Sequence, residues 1–176
     1  MTPTTFRKGG EGTGIRYGFG LSSLGDLLVA AAERGLCAIS LGDDRDVLLT
    51  ALQEQFPKAE LIEGGTDFKD QITAVITFVE QPRLGLDLPL DLQGTAFQIR
   101  VWQALRTIPP GETLSYSDLA TRLGMPKGAR AVASACAANK IAVAVPCHRV
   151  LGRSGTLTGY RWGLRRKRAL LDREAK

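Results

Sequence analysis

The stretch SYSDLATRLGMPKGARAVASACAA, residues 115–138, decides the fold of the second half of this 176-residue chain. Ser115 to Leu123 has the apolar spacing of a short helix, and Gly124-Met125-Pro126 is a turn signal. A second helix then runs through about Ala138. Two helices joined by a short glycine-containing turn describe a helix-turn-helix. Lys127 and Arg130 stand at the start of the second helix, where helices that read DNA make their contacts. The rest of that helix is almost all small: Ala129, Ala131, Ala133, Ser134, Ala135, Ala137 and Ala138. Such a helix either packs tightly inside the protein or approaches a narrow groove closely.

Charge favours the groove. Residues 1–93 carry 8 basic and 14 acidic side chains, a net −6, whereas residues 94–176 carry 15 and 4, a net +11. A chain divided in this way has two parts with different tasks, the basic one facing a polyanion. The expected division is a structural α/β domain over residues 1–92 and a mostly helical working domain over residues 93–176.

Outward from the helix-turn-helix, Thr95 and Gln98 form a capping-box pair, with Phe97, Val101 and Leu105 following at helical spacing. Pro109-Pro110-Gly111 closes that segment. In the first half, Ile15 to Gly20, Leu27 to Ala32 and Leu36 to Leu41 have strand character, and Arg34-Gly35 marks a tight hairpin. Asp43 and Asp44 can cap a helix with Val47, Leu48, Ala51, Leu52 and Phe56 on its apolar side, ended by Pro57. A further helix follows Thr66 or Asp67, with Phe68, Ile72, Val75, Ile76 and Val79 on one face. Gln81 to Gln93, holding Pro82, Gly85 and Pro89, is an extended crossing or a linker. The prediction is an α+β chain: a small N-terminal antiparallel sheet with helices, then a helical domain.

The chemistry concentrates in Pro146-Cys147-His148-Arg149-Val150, which places the only histidine beside a cysteine. A thiolate is the nucleophile, and an imidazole is the usual means of making one near neutral pH. Neighbouring side chains on a strand point to opposite faces. Cooperation therefore requires a backbone turn here, which Pro146 favours, or a bridging water. The alternative is a buried structural cysteine after the apolar run Ile141 to Val145, with a histidine at its rim.

Other function classes are argued against. No apolar run approaches the ~20 residues of a membrane helix, and Met1 to Gly14 has no apolar segment of a secretory signal. Cys37, Cys136 and Cys147 are widely spaced, as in a reducing cytoplasmic setting. One histidine and no CxxC pair disfavour a zinc site. No metal, cofactor or membrane contact is expected.

A set of motifs carries a resemblance: Gly94-Thr95-Ala96-Phe97, Val101-Trp102, Ile108-Pro109, Gly111-Glu112-Thr113, Ser115-Tyr116, Arg130-Ala131-Val132, Asn139, Pro146 to Val150, and Gly159-Tyr160-Arg161-Trp162-Gly163. Together they resemble the O6-alkylguanine-DNA alkyltransferases, the methylated-DNA–protein-cysteine methyltransferases. Phe6-Arg7 and Arg34-Gly35-Leu36-Cys37-Ala38-Ile39 look most like the C-terminal portion of the bacterial adaptive-response protein. The resemblance implies an RNase H-like first domain and a monomer acting on double-stranded DNA that contains O6-alkylguanine. The family moves the alkyl group, from O4-alkylthymine as well, onto its own cysteine, once, irreversibly and without a cofactor.

Site residues follow from the same resemblance. Cys147 matches the nucleophile, His148 the water-bridged base, Glu174 the carboxylate that orients it, and Asn139 the brace of the cysteine turn. Arg130 matches the arginine that fills the stack vacated by a flipped nucleotide. Tyr116 matches the tyrosine that pushes the phosphate and contacts the base, and Lys127, Ala129 and Ser134 complete the DNA-facing helix. Thr158, Gly159, Tyr160, Arg161, Val150 and Cys136 match the substrate pocket, with Ala142 on its wall. Leu164, Leu170 and Leu171 are expected to dock the last helix and bring Glu174 to His148. The run Arg165-Arg166-Lys167-Arg168 is either a phosphate contact or a solvated helix face. Two rivals remain in other classes: a DNA-binding module without chemistry, which would lack Cys147, and a thiol hydrolase, which would have no use for Arg130 or a +11 half.

Overall fold

Strand β2 (Gly25–Ala32) sits between β1 (Gly14–Ser22) and β3 (Gly35–Gly42) in an antiparallel meander. The computed structural model describes all residues, Met1 to Lys176, which form two units, Met1–Gln93 and Gly94–Lys176. Leu27 to Ala31 are all buried, the continuous apolar run of a strand covered on both faces. The first unit also holds α1 (Pro3–Arg7), α2 (Arg45–Gln55), β4 (Glu60–Glu63) and α3 (Thr66–Glu80). Strand β4 adds to β1 in parallel, so the order is β3-β2-β1-β4 and the sheet is mixed. Only Leu61 and Ile62 of β4 are apolar, too short a pattern to announce a strand.

The two sheet faces follow the period of two along β1. On one side Ile15 joins Leu28, Ala30, Ala38, Leu48, Leu52 and Phe56 in a core beneath α2. On the other, Gly18 and Gly20 let α3 lie against the strand. A Cβ at Gly18 would stand 2.5 Å from Ile72 Cδ1, and one at Gly20 2.6 Å from Ile76 Cδ1. Gly18→Val should therefore cost about 1–3 kcal/mol through overpacking, read as a lower denaturation midpoint of the first unit. An unchanged midpoint would show that α3 shifts freely.

Asp44 caps α2, accepting from the amides of Asp46 and Val47. Val47, expected on the apolar side, is 63% exposed. Leu48, Leu52 and Phe56 repeat every four residues and form the buried face, with Leu49 partly buried against the same core. The 81–93 segment is extended only in part: Pro82–Leu84 forms a 3-10 turn, and beyond it Leu36 N–H donates to the Pro89 carbonyl and Asp91 N–H to that of Leu36.

The second unit contains α4 (Ala96–Leu105), β5 (Leu114–Ser115), α5 (Tyr116–Arg122), α6 (Ala129–Ala137), β6 (Val150–Leu151) and α7 (Leu164–Glu174). Thr95 and Gln98 close the capping box on α4, and Ser115 with Asp118 closes another on α5. Gly124, at φ +75°, ends α5, and the Met125 amide returns to the Ala120 carbonyl. Trp102 Nε1 donates to the Ala135 carbonyl, fixing α4 to α6. Helix α6 buries Val132, Ala135 and Cys136 and exposes Arg130, Ala131, Ser134 and Ala137. Its small side chains thus serve both readings, packing on one face and a slim exposed surface on the other.

Helix α7 docks differently from expectation. Leu170 is buried, but Leu164 is 47% exposed and Leu171 only half-buried. The buried stripe is Lys167, Leu170 and Glu174, one apolar side chain between two charged ones at helical spacing.

Candidate active site

The segment from Asn139 to Val150 is shaped by one side chain. Asn139 Oδ1 accepts from the Ile141 amide at 2.9 Å, while Nδ2 donates to the Val145 carbonyl at 2.8 Å and to Cys147 Sγ at 3.3 Å. Between these contacts Val143 takes φ +67°, a left-handed conformation that costs a β-branched residue on the order of 1–3 kcal/mol. The Asn139 bonds hold the chain in this strained turn. After Pro146 the backbone forms a single 3-10 turn, Cys147–Arg149, and passes into β6. Strand β6 pairs in parallel with β5, which leads directly into α5.

Cys147 lines a cavity of about 440 Å3, a usual size for a small-molecule site. Tyr116, Ala133, Cys136 and Ala137 form its helical side, and Thr158, Gly159, Tyr160 and Arg161 its loop side. Val150 is not part of this lining; it is fully buried and its carbonyl accepts from Lys167. Tyr116 Oη donates to the Thr158 carbonyl at 3.4 Å, joining α5 to the loop. The Tyr160 ring stacks edge-on against Trp162 and His148, and its hydroxyl has no hydrogen-bond partner within the protein.

His148 and Glu174 are buried together, with Nε2 and Oε1 2.8 Å apart. Arg149 completes the group through a bidentate contact to the same carboxylate and a bond to the Ile108 carbonyl. This arginine is buried and escapes a sequence reading, because its neighbours claim the attention. Burial pushes the Glu174 carboxyl up, but the bonds from His148 and Arg149 outweigh it and bring it down to about 2. Burial lowers His148 below its ordinary value although Glu174 pulls the other way, so the imidazole rests neutral at pH 7. Burial raises the Cys147 thiol to about 11, and the Asn139 bond and Lys167 charge only moderate it. The resting site thus holds a thiol and a neutral imidazole. No bond joins them directly, and the second imidazole nitrogen, Nδ1, has no protein partner.

Acid should unfasten α7. Both His148 and Glu174 titrate lower in the fold than in the unfolded chain, so each contributes stability at neutral pH that falls away on acidification. The loss begins below the ordinary histidine value of 6.5 and continues as pH falls from 4.5 towards 2. Hydrogen exchange of the α7 amides should accelerate through this window; pH-independent protection would contradict the pairing.

The remaining predicted residues lie where their types allow contact with a ligand from outside. Lys127, Arg130 and Ser134 are exposed and Ala129 half-buried along the start and outer face of α6. The Arg165 to Arg168 run divides by helix geometry: Arg165 and Arg168 are exposed, Arg166 donates to the Trp162 carbonyl, and Lys167 is completely buried. A charge-run reading could not have found that lysine. No group of three or more His, Cys, Asp or Glu side chains is placed to hold a metal ion, and no helix is long and apolar enough to cross a membrane.

A mixed α/β unit is thus followed by a helix-turn-helix unit that holds a cysteine in a pocket beside its second helix. Residues 15–92 match the family described as 6-O-methylguanine DNA methyltransferase, ribonuclease-like domain. Residues 96–176 match its counterpart, the DNA binding domain. The inducible methylated-DNA–protein-cysteine methyltransferase of Bacillus subtilis is 37% identical over 83% of this chain and 82% of its own length. This chain belongs to the 6-O-methylguanine DNA methyltransferase family. The bifunctional transcriptional activator/DNA repair enzyme Ada of Escherichia coli is 54% identical over 99% of the chain. The chain spans about half the length of that relative and of the Salmonella typhimurium regulatory protein ada. Mycobacterium tuberculosis OGT, solved in complex with DNA, superposes with a TM-score of 0.73 at 38% identity, covering 92% of each chain.

Proposed function

We propose that this chain repairs duplex DNA by moving the alkyl group of O6-alkylguanine onto Cys147, once and irreversibly, with O4-alkylthymine as a second substrate. The observation that carries this reading is Cys147 in the wall of a base-sized pocket, next to the buried His148–Glu174 pair, in a unit of net charge +11. The protein acts as a monomer in the cytoplasm and needs no metal or cofactor.

The lesion oxygen lies inside the duplex, so the nucleotide has to rotate out to reach a side chain. Arg130, exposed at the head of the slim α6, fills the vacated stack, while Lys127, Ala129 and Ser134 follow the backbone. Tyr116 lines the pocket beside that helix, where it contacts the phosphate and then the extruded base. In the transfer the sulfur–carbon bond forms as the carbon–oxygen bond breaks, and guanine leaves with its oxygen as an anion that takes a proton from the Tyr116 hydroxyl, which regains one from solvent. The thiol first gives its proton, through water, to Nδ1 of His148. Glu174 stabilises the resulting imidazolium, the task of the third member in a base-and-orienter arrangement. Asn139 holds Sγ towards the pocket throughout. The product is a thioether with no route back to the thiol, so each chain acts once.

A duplex carrying a labelled methyl group on guanine O6 tests the reading. The label should move to the peptide containing Cys147 and leave unmodified guanine behind. Label on Cys37 or Cys136, or release of methanol, would overturn it.

Glu174→Gln should raise the apparent thiol pKa of Cys147 and slow transfer from free O6-alkylguanine as well as from DNA. Its affinity for unmodified duplex should not change, because the residue is buried beneath the site. Unaltered transfer in a variant with α7 still protected would reduce the reacting group to Cys147 and His148.

A further inference from the structure

Lys167 is the most unusual charged residue in the second unit. Its side chain is completely buried on α7 and has no carboxylate partner. Instead Nζ donates to the carbonyls of Val150 at 2.7 Å, Thr158 at 3.0 Å and Gly159 at 3.4 Å. An ammonium has three donors and no acceptor, so three carbonyls satisfy it completely. It also stands 6.0 Å from the centre of the Tyr116 ring. Val150 closes the turn that begins with Cys147, whereas Thr158 and Gly159 form the opposite wall of the pocket. One nitrogen therefore ties the nucleophile's own segment to the loop that faces it.

Burying an ammonium without a counter-ion is expensive, and a fold that only needed a tie could use an uncharged donor. The charge favours the ionised form of two pocket thiols, Cys136 and Cys147, and Cys147 lies in the turn whose end Nζ bonds. Within reach of the pocket the anion-forming groups are Cys147, Cys136 on α6, Tyr116 on α5 and Tyr160 on the loop. The cations there are Lys167, Arg149 and the exposed Arg161. Glu174 is already neutralised by Arg149 and hydrogen-bonded to His148. A thiol held almost wholly protonated by burial gains most from a nearby positive charge that has no anion of its own.

We propose that Lys167 is a positioning residue that sets the width of the pocket through the three carbonyls and favours the Cys147 thiolate through its uncompensated charge. This deepens the alkyl-transfer reading and rests on it.

The test compares the wild type with Lys167→Met, which loses charge and donors, and Lys167→Gln, which loses the charge but keeps an N–H donor. Alkylation of Cys147 is followed against pH with iodoacetamide and with free O6-methylguanine. Both variants should show a rate midpoint moved to higher pH, with the deficit at pH 7 recovered as the thiol ionises. Each unit of upward shift lowers the rate below the midpoint about tenfold. Lys167→Met should additionally show a lower plateau with the base, whose fit depends on pocket width. A lower plateau with an unmoved midpoint in both variants would overturn the electrostatic role, as would profiles identical to the wild type. Loss of the folded second unit in both variants, seen as loss of duplex binding, would place Lys167 in the scaffold alone and overturn it too. Methylation of wild-type Cys147 by lesion-bearing duplex is measured in parallel. Its failure would sink the repair reading, whereas the iodoacetamide profile would still judge Lys167.

Discussion

Cys147→Ser is expected to abolish alkyl transfer while leaving duplex affinity within experimental error of the wild type. Serine keeps the size of the side chain and can still accept from Asn139 Nδ2, so the strained turn at Val143 is preserved. What it loses is ionisability, since a hydroxyl supplies no useful concentration of anion near neutral pH and the thiolate is the attacking species. The exposed surface of α6 is untouched by the change. Gel-shift titration and a lesion-loss assay on the same variant separate the two properties. If the serine variant still clears the lesion, another residue is the nucleophile.

The second large effect belongs to Arg130→Ala. If Arg130 fills the gap left by the flipped nucleotide, its loss returns the unstacking cost, a few kcal/mol, to the transfer step from duplex. That corresponds to a slowing of roughly a hundredfold. Reaction with free O6-alkylguanine requires no flipping and should be unchanged. The side chain is exposed on α6 and is not part of the pocket lining, so the contrast is a clean one. Equal slowing on both substrates would assign Arg130 to support of the pocket.

Much of the fold was readable because local signals agreed with tertiary ones. The capping pair Thr95–Gln98, the glycine at Gly124 and the turn at Arg34-Gly35 all act over a few residues, where sequence spacing is spatial spacing. The strand β4 was not readable, because two apolar residues between glutamates acquire strand identity only from the β1 edge beside them. Val47 and Leu164 looked like core by type, but the helical rotation that exposes them is fixed by distant packing.

The candidate site shows the same division. Cys147 and His148 declare themselves by adjacency and chemistry. The family resemblance drew in Glu174, which spacing alone would have left as a terminal charge; the structure places it 2.8 Å from the imidazole. Arg149 and Lys167 stayed hidden, since a buried cation in a basic run has the same letters as a solvated one. Only the three-dimensional arrangement of carbonyls and carboxylates distinguishes them. The resting protonation state was likewise out of reach. Adjacency implies an activated thiolate, whereas burial raises the thiol to about 11.

The most direct test of the account is the intact mass of the protein after exposure to a tenfold excess of duplex containing O6-methylguanine. The mass should rise by one methyl group per chain, located on Cys147, with no further lesion removed after that gain is complete. An unchanged mass with continued loss of the lesion, or methylation confined to another residue, would contradict it.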